Sequence, residues 1–135
     1  MSELADAALR DDEATQASAF VKLRSIYDRE AAAGRSDPML TEALADVTDD
    51  PRNSASLYRL AMAQSASFPD EPLHTKRIGL ARQLIELGDL DGAEAELNAA
   101  LLEAKALGDD DVLEMIKAVR GGKRPNKSLE RTREG

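Results

Sequence analysis

Apolar residues along this chain recur at three- and four-residue spacing, the period of a helix with one covered side. Phe20, Leu23, Tyr27 and Ala31 form the first stripe, with Val21 and Ile26 widening it. Leu40, Leu44 and Val47 form a short second stripe over 38–47, and Leu57, Leu60, Ala61 and Met62 a third over 53–65. Leu80, Ala81, Leu84 and Ile85 mark a helix over 73–87. Ala93, Leu97, Ala100, Leu101 and Ala104 mark another over 93–107, and Val112, Met115, Ile116 and Val119 the last. The pattern predicts an all-α protein of about six or seven helices arranged as helical hairpins.

Polar residues set the boundaries. Asp37-Pro38, Asp50-Pro51 and Glu71-Pro72 each read as a helix start. A carboxylate can accept from free backbone N–H groups, and proline suits the first helical position. Asp70 is the alternative cap for the third. Ser2 and Asp12 are both candidate caps near the N-terminus, and Leu4 and Leu9 belong either to a separate short helix or to an extension of the next. Gly34 and Gly108 read as helix stops. Gly88-Asp89 reads as a turn in which Asp89 caps the next helix. Asp109 to Asp111 opens the last helix and Gly121-Gly122 ends it. The segment 64–72 reads as a loop, with Phe68 expected to tuck onto the core.

A length of 135 residues fits one domain, here 1–122. The core is expected to be aliphatic, since Phe20, Tyr27, Tyr58 and Phe68 are the only aromatics. Ala and Leu dominate, both strong helix formers. The absence of cysteine excludes disulfides, thiolate metal sites and cysteine nucleophiles. The first twelve residues lack the pattern of a signal peptide and no apolar run is long enough for a bilayer, so a cytoplasmic location is expected. Net charge is −8; the segment from Lys123 to Gly135 holds five basic and two acidic residues, which leaves −11 for 1–122. Such a body repels nucleic acid and anionic membrane and attracts a basic partner. Acidity also serves solubility alone. The segment from Lys123 has no apolar period and is expected to be a disordered basic tail; it lacks aromatics that would stack on bases.

Within 73–120, Leu80-Ala81, Leu84, Gly88, Ala93, Leu97 and Ala100 stand at the spacing of a tetratricopeptide hairpin, which this stretch resembles. The family places a large-then-small pair in its first helix, glycine at the turn and small residues where the helices cross. Ala81 and Ala93 then permit close approach while Leu84 and Leu97 fill the gap. The aromatic usual early in the first helix is absent near Arg77 and Ile78, and Gly108 rather than proline ends the unit. Thr75-Lys76, Leu80-Ala81-Arg82, Ile85-Glu86, Gly88-Asp89 and Gly92-Ala93 are also similar to the C-terminal repeat of bacterial FimV-type hub proteins, which implies a docking repeat. A shift of about 37 residues upstream places Ala43-Leu44, Val47, Ser56, Leu60 and Ala63 on the same pattern, a degenerate earlier hairpin. Stacked hairpins stabilise one another, so an earlier helical pair is required to cover this one.

Motifs for chemistry are weak. His74 is the only histidine and is expected at the surface or a helix boundary; one histidine makes no multi-histidine metal site. Asp89-Leu90-Asp91-Gly92 resembles part of a calcium loop, but Leu87 and Asn98 stand where oxygen ligands belong, so it reads as a turn and cap. Paired carboxylates such as Asp49-Asp50 are unremarkable in so acidic a chain, and no cofactor site is expected. The expected function is therefore a non-catalytic adaptor that binds a protein or peptide segment on a helical-repeat surface. The resemblance places that surface on the first helix of the hairpin, at Thr75, Ile78, Arg82 and Ile85, with Glu86 at the rim. The competing reading packs Ile78 and Ile85 against the N-terminal helices and leaves no groove. The alternative function is an acidic inhibitor or immunity protein that blocks a basic toxin or nuclease, motivated by the charge of the body.

Overall fold

Four aspartates start helices in the computed structural model, which describes the backbone of residues 3–121 and the side chains of residues 14–121. Asp37 accepts from the Met39 and Leu40 N–H groups at 3.0 and 3.3 Å and opens α2 (Pro38–Asp46). Asp50 accepts from Asn53 N at 3.0 Å and opens α3 (Pro51–Gln64). Asp89 accepts from Gly92 N at 2.9 Å and opens α5 (Leu90–Leu107). Asp109 accepts from Val112 N at 3.1 Å and opens α6 (Asp110–Arg120). Each such cap contributes about 1 kcal/mol.

The third acidic-Pro step behaves differently. α4 (His74–Glu86) begins two residues after Pro72, and its N-cap, Leu73, has no side-chain cap bond of its own. Glu103, thirty residues away on α5, accepts from Leu73 N at 2.9 Å instead. Glu71 is drawn into an ion pair with Lys76. A tertiary carboxylate has replaced the local one.

α1 (Glu3–Ala32) is continuous through Asp12, so Asp12 lies inside the helix and Leu4 and Leu9 belong to the same element. Ser2 lies outside the described residues. Gly34 (φ 77°) and Gly108 (φ 70°) take the left-handed conformation expected of helix stops. A short 3-10 turn, Ser65–Ser67, follows α3. Among the described residues there are six α-helices and no strand. No described helix is long and apolar enough to cross a membrane. The basic segment from Lys123 lies outside the described residues.

Each helix packs on the next in sequence, and α4 also touches α6. Two helical hairpins, α2/α3 and α4/α5, are thus stacked, with α1 against α2 at one end and α6 against α5 and α4 at the other. The hairpin pattern is realised in the core: Leu80, Ala81, Leu84, Ala93, Leu97 and Ala100 are all buried. Val112, Ile116 and Val119 of α6 close over them, whereas Met115 is exposed.

The first hairpin is real but its register differs from the uniform shift. Its buried pair is Leu44-Ala45, 36 residues before Leu80-Ala81, while Tyr58 and Ala61 lie 39 before Leu97 and Ala100. Ser56, Leu60 and Ala63 consequently face outward. The reason is length: α2 has 9 residues and α4 has 13, about one turn more. The apolar stripe of α1 is also narrower than expected. Phe20, Leu23 and Tyr27 are half-buried, but Ala31, Val21 and Ile26 are exposed, Val21 by 65%. Phe68 stays at the surface.

Gly88 makes the α4/α5 turn at φ 86°, with no atom within 4 Å of a built Cβ. A side chain there meets no clash, so the cost is that of the left-handed backbone alone. Gly88→Val is expected to destabilise by about 1–2 kcal/mol, measured by urea unfolding. An unchanged midpoint would show that this turn does not hold the hairpin.

Candidate functional site

α4 lies between α3, α5 and α6. Its sequence is accordingly buried on most sides, including polar positions that would ordinarily face water. Lys76 is 0% exposed. Its ammonium reaches Glu71 at 2.7 Å, Glu42 of α2 at 2.9 Å and the Pro72 carbonyl at 3.1 Å. Three acceptors match the three donors of an ammonium. Burial alone would push this group down; the hydrogen bonds to Glu71 and Glu42 overcome that and hold it above the ordinary lysine value. The cluster ties α2 to α4 across the two hairpins.

Beside it, Tyr58 of α3 donates its hydroxyl to Asp46 at the end of α2. The Tyr58 ring lies over Gly79, where a built Cβ would overlap ring carbons. Burial raises the Asp46 carboxyl above the usual aspartate range; the Tyr58 hydrogen bond opposes this, Glu42 adds to it, and Arg82 and Lys76 oppose it. Burial, then the Asp46 contact, likewise raises the Tyr58 phenol. Since the folded Asp46 holds its proton more tightly than an unfolded aspartate, its ionisation costs stability above the folded value. That cost is relieved as pH falls through that value towards 3.8. Asp46→Asn keeps an acceptor for Tyr58 and removes the charge. It is expected to raise the melting temperature at pH 7, with the gain shrinking as pH is lowered towards 4. A lower melting temperature at pH 7 would contradict this account.

His74 is the first residue of α4, so it stands at a helix boundary as expected, but it is 4% exposed and is not a surface residue. Its Nδ1 lies 3.9 Å from Glu103 and its Nε2 3.4 Å from Asp109. Nδ1 has no hydrogen-bond partner among the described residues. The ring plugs the junction where α4 starts, α5 ends and α6 starts. Helix ends converge there, a tertiary event that no local spacing announces. Among the described residues no group of three or more His, Asp or Glu side chains is placed to hold a metal.

The five residues expected on the binding face are dispersed by this packing. Ile78 is 1% exposed and belongs to the core, which removes it from any contact surface. Ile85 packs partly against the same core. Thr75 and Arg82 are half-buried and Glu86 is exposed. Arg82 lies within electrostatic reach of Asp46 and Tyr58. Of the face that the resemblance assigned to a ligand, Ile78 is thus taken up by the core, while Thr75, Arg82, Ile85 and Glu86 keep part of their surface.

An opening lies elsewhere. Between α5 and α6 runs a groove of about 550 Å³ with Leu101, Leu113 and Ile116 in its lining. Lys105, Lys117 and Arg120 line it as well, with Asp110 and Glu114. Lys117 pairs with Glu114 at 3.3 Å and Arg120 with Glu94 at 3.0 Å. The signal for this site was present in the sequence as α6's basic last turn, Lys117 and Arg120, beside an apolar stripe. It became a groove only once α6 had docked.

Comparison with known proteins finds no matching family model, no matching curated protein and no matching solved structure.

Proposed function

We propose that this protein is a non-catalytic interaction module that docks a protein segment in the α5/α6 groove. One observation carries the reading: a stack of helical hairpins ends in an apolar-floored groove that no described element covers. In hairpin arrays the terminal unit normally carries a polar outer face. Leu101 and Leu113 leave apolar surface on the last described pair of helices, and Leu102, next to Leu101 in sequence, is 73% exposed. The tetratricopeptide resemblance supports the same reading, because the buried Leu and Ala positions of α4/α5 are those the family pattern requires. The cytoplasmic adaptor role remains part of this proposal.

Affinity capture with two surface variants tests it. Leu113→Asp, with its fold checked by circular dichroism, is expected to weaken capture about tenfold or more, since anchor residues dominate docking energies. Arg82→Glu is expected to leave capture unchanged. The reverse outcome moves the surface to α4. No effect from either variant rejects the proposal.

A further inference from the structure

We propose that the occupant of the α5/α6 groove is the N-terminal part of α1 from a second copy of this chain, which makes the protein self-associate head to tail. The inference rests on the reading of the groove as a docking surface and adds the identity of what docks. α1 has 30 residues, about 45 Å of helix, whereas α2, against which it packs, has 9 residues, about 14 Å. α2 can therefore cover only about a third of α1. Gln16 donates to Asp49 at 2.7 Å, and Ala14 to Ser18 are all exposed. Upstream of them α1 continues to Glu3 for about 16 Å of helix.

Segment 3–13 and the groove are opposite in charge. Residues 3–13 read ELADAALRDDE: five carboxylates against one arginine, net −4, with Leu4 and Leu9 as their leucines. The groove carries Lys105, Lys117 and Arg120 against Asp110 and Glu114, net +1 in a body that is otherwise strongly acidic. Its length is that of α6, 11 residues, the same as segment 3–13. The segment from Lys123 to Gly135, the other stretch of this chain close to the groove in sequence, carries +3 and would be repelled. The donor and acceptor surfaces differ, so each copy keeps one of each free after pairing, and the contact extends beyond a dimer unless a ring closes.

Sedimentation velocity of the full chain over a range of concentrations tests this. The weight-average mass is expected to rise with concentration past two chains and to fall when salt screens the charges. Lys105→Glu with Lys117→Glu alters two exposed side chains, and Asp11→Lys with Asp12→Lys alters segment 3–13. Each pair is expected to weaken association on the order of tenfold or more. Mixing the two variant proteins restores opposite charges across the contact and is expected to recover the mass that neither shows alone. A mass of one chain at every concentration overturns the inference, and so does association that neither reversal changes. If the chain is monomeric while Leu113→Asp still abolishes partner capture, the docking surface stands and only the second-copy occupant is overturned. If capture is also unaffected, both fall.

Discussion

Replacing Lys76 by methionine is expected to destabilise the protein by about 3–5 kcal/mol, the range for removing one partner of a buried ion pair. Methionine fills much of the aliphatic volume, so the loss is electrostatic and not a cavity. Glu42 and Glu71 are only about one-fifth exposed in this cluster and would face each other without the cation between them. The Pro72 carbonyl would lose its donor as well. Because the lysine is held above its ordinary value, its contribution is complete at neutral pH and is lost as pH rises above 10.5 through the folded value. Adding Glu42→Gln and Glu71→Gln to Lys76→Met is expected to return most of the stability, since the penalty comes from the stranded charges. Denaturant unfolding of the single and triple variants decides this. Equal stability of Lys76→Met and the parent chain would mean that water already screens the site.

How much of this could be read beforehand depends on which forces are local. Asp37, Asp50, Asp89 and Asp109 cap helices through N–H groups two or three residues away, so sequence spacing located them. The α4/α5 hairpin was legible for the same reason: Leu80, Ala81, Ala93 and Leu97 recur at a period that a short turn brings face to face. Periodicity tells which residues share a side of a helix, but not which side meets a neighbour. Val21 and Ile26 illustrate the gap on α1, where the short α2 covers only one narrow strip. Ile78 shows the converse: a position assigned to a ligand is covered because α3, α5 and α6 surround α4. His74 was opaque because Glu103 and Asp109 are remote in sequence, and Lys76 because, beside the local Glu71 and Pro72, its third acceptor is the distant Glu42.

The groove between α5 and α6 follows from the same distinction. α6 buries Val112, Ile116 and Val119 against the hairpin, and that stripe predicted its docking. Leu113 and Leu101 lie at its margin and are only half-covered. In an array that continued, the next helix would cover them. Among the described residues no further helix covers this aliphatic surface, which is of the kind that stabilises each internal contact. On the function proposed above, folding and docking use one kind of contact, and the cations at the rim favour an acidic occupant.

Gly79 offers the sharpest test of how the two hairpins fit. A glycine inside a helix ordinarily costs about 1 kcal/mol relative to alanine, so Gly79→Ala would stabilise an isolated α4. In this protein the expected sign is reversed. The Tyr58 ring occupies the space where the alanine methyl would be. Tyr58 has little freedom to retreat, because it is buried and its hydroxyl is fixed on Asp46. Overpacking of this kind costs typically about 1–3 kcal/mol, enough to outweigh the gain in helix propensity. Gly79→Ala is therefore expected to lower the unfolding free energy by up to about 2 kcal/mol after that gain is subtracted. Tyr58→Leu alone removes the ring and the hydrogen bond to Asp46, and is expected to destabilise as well. In the double variant the methyl can enter the space the ring has left, so the combined loss should be smaller than the two separate losses added together. A double-mutant cycle measures that coupling directly. Simple additivity, or a stabilising Gly79→Ala, would mean that α3 and α4 are not held together by the seating of Tyr58 on Gly79.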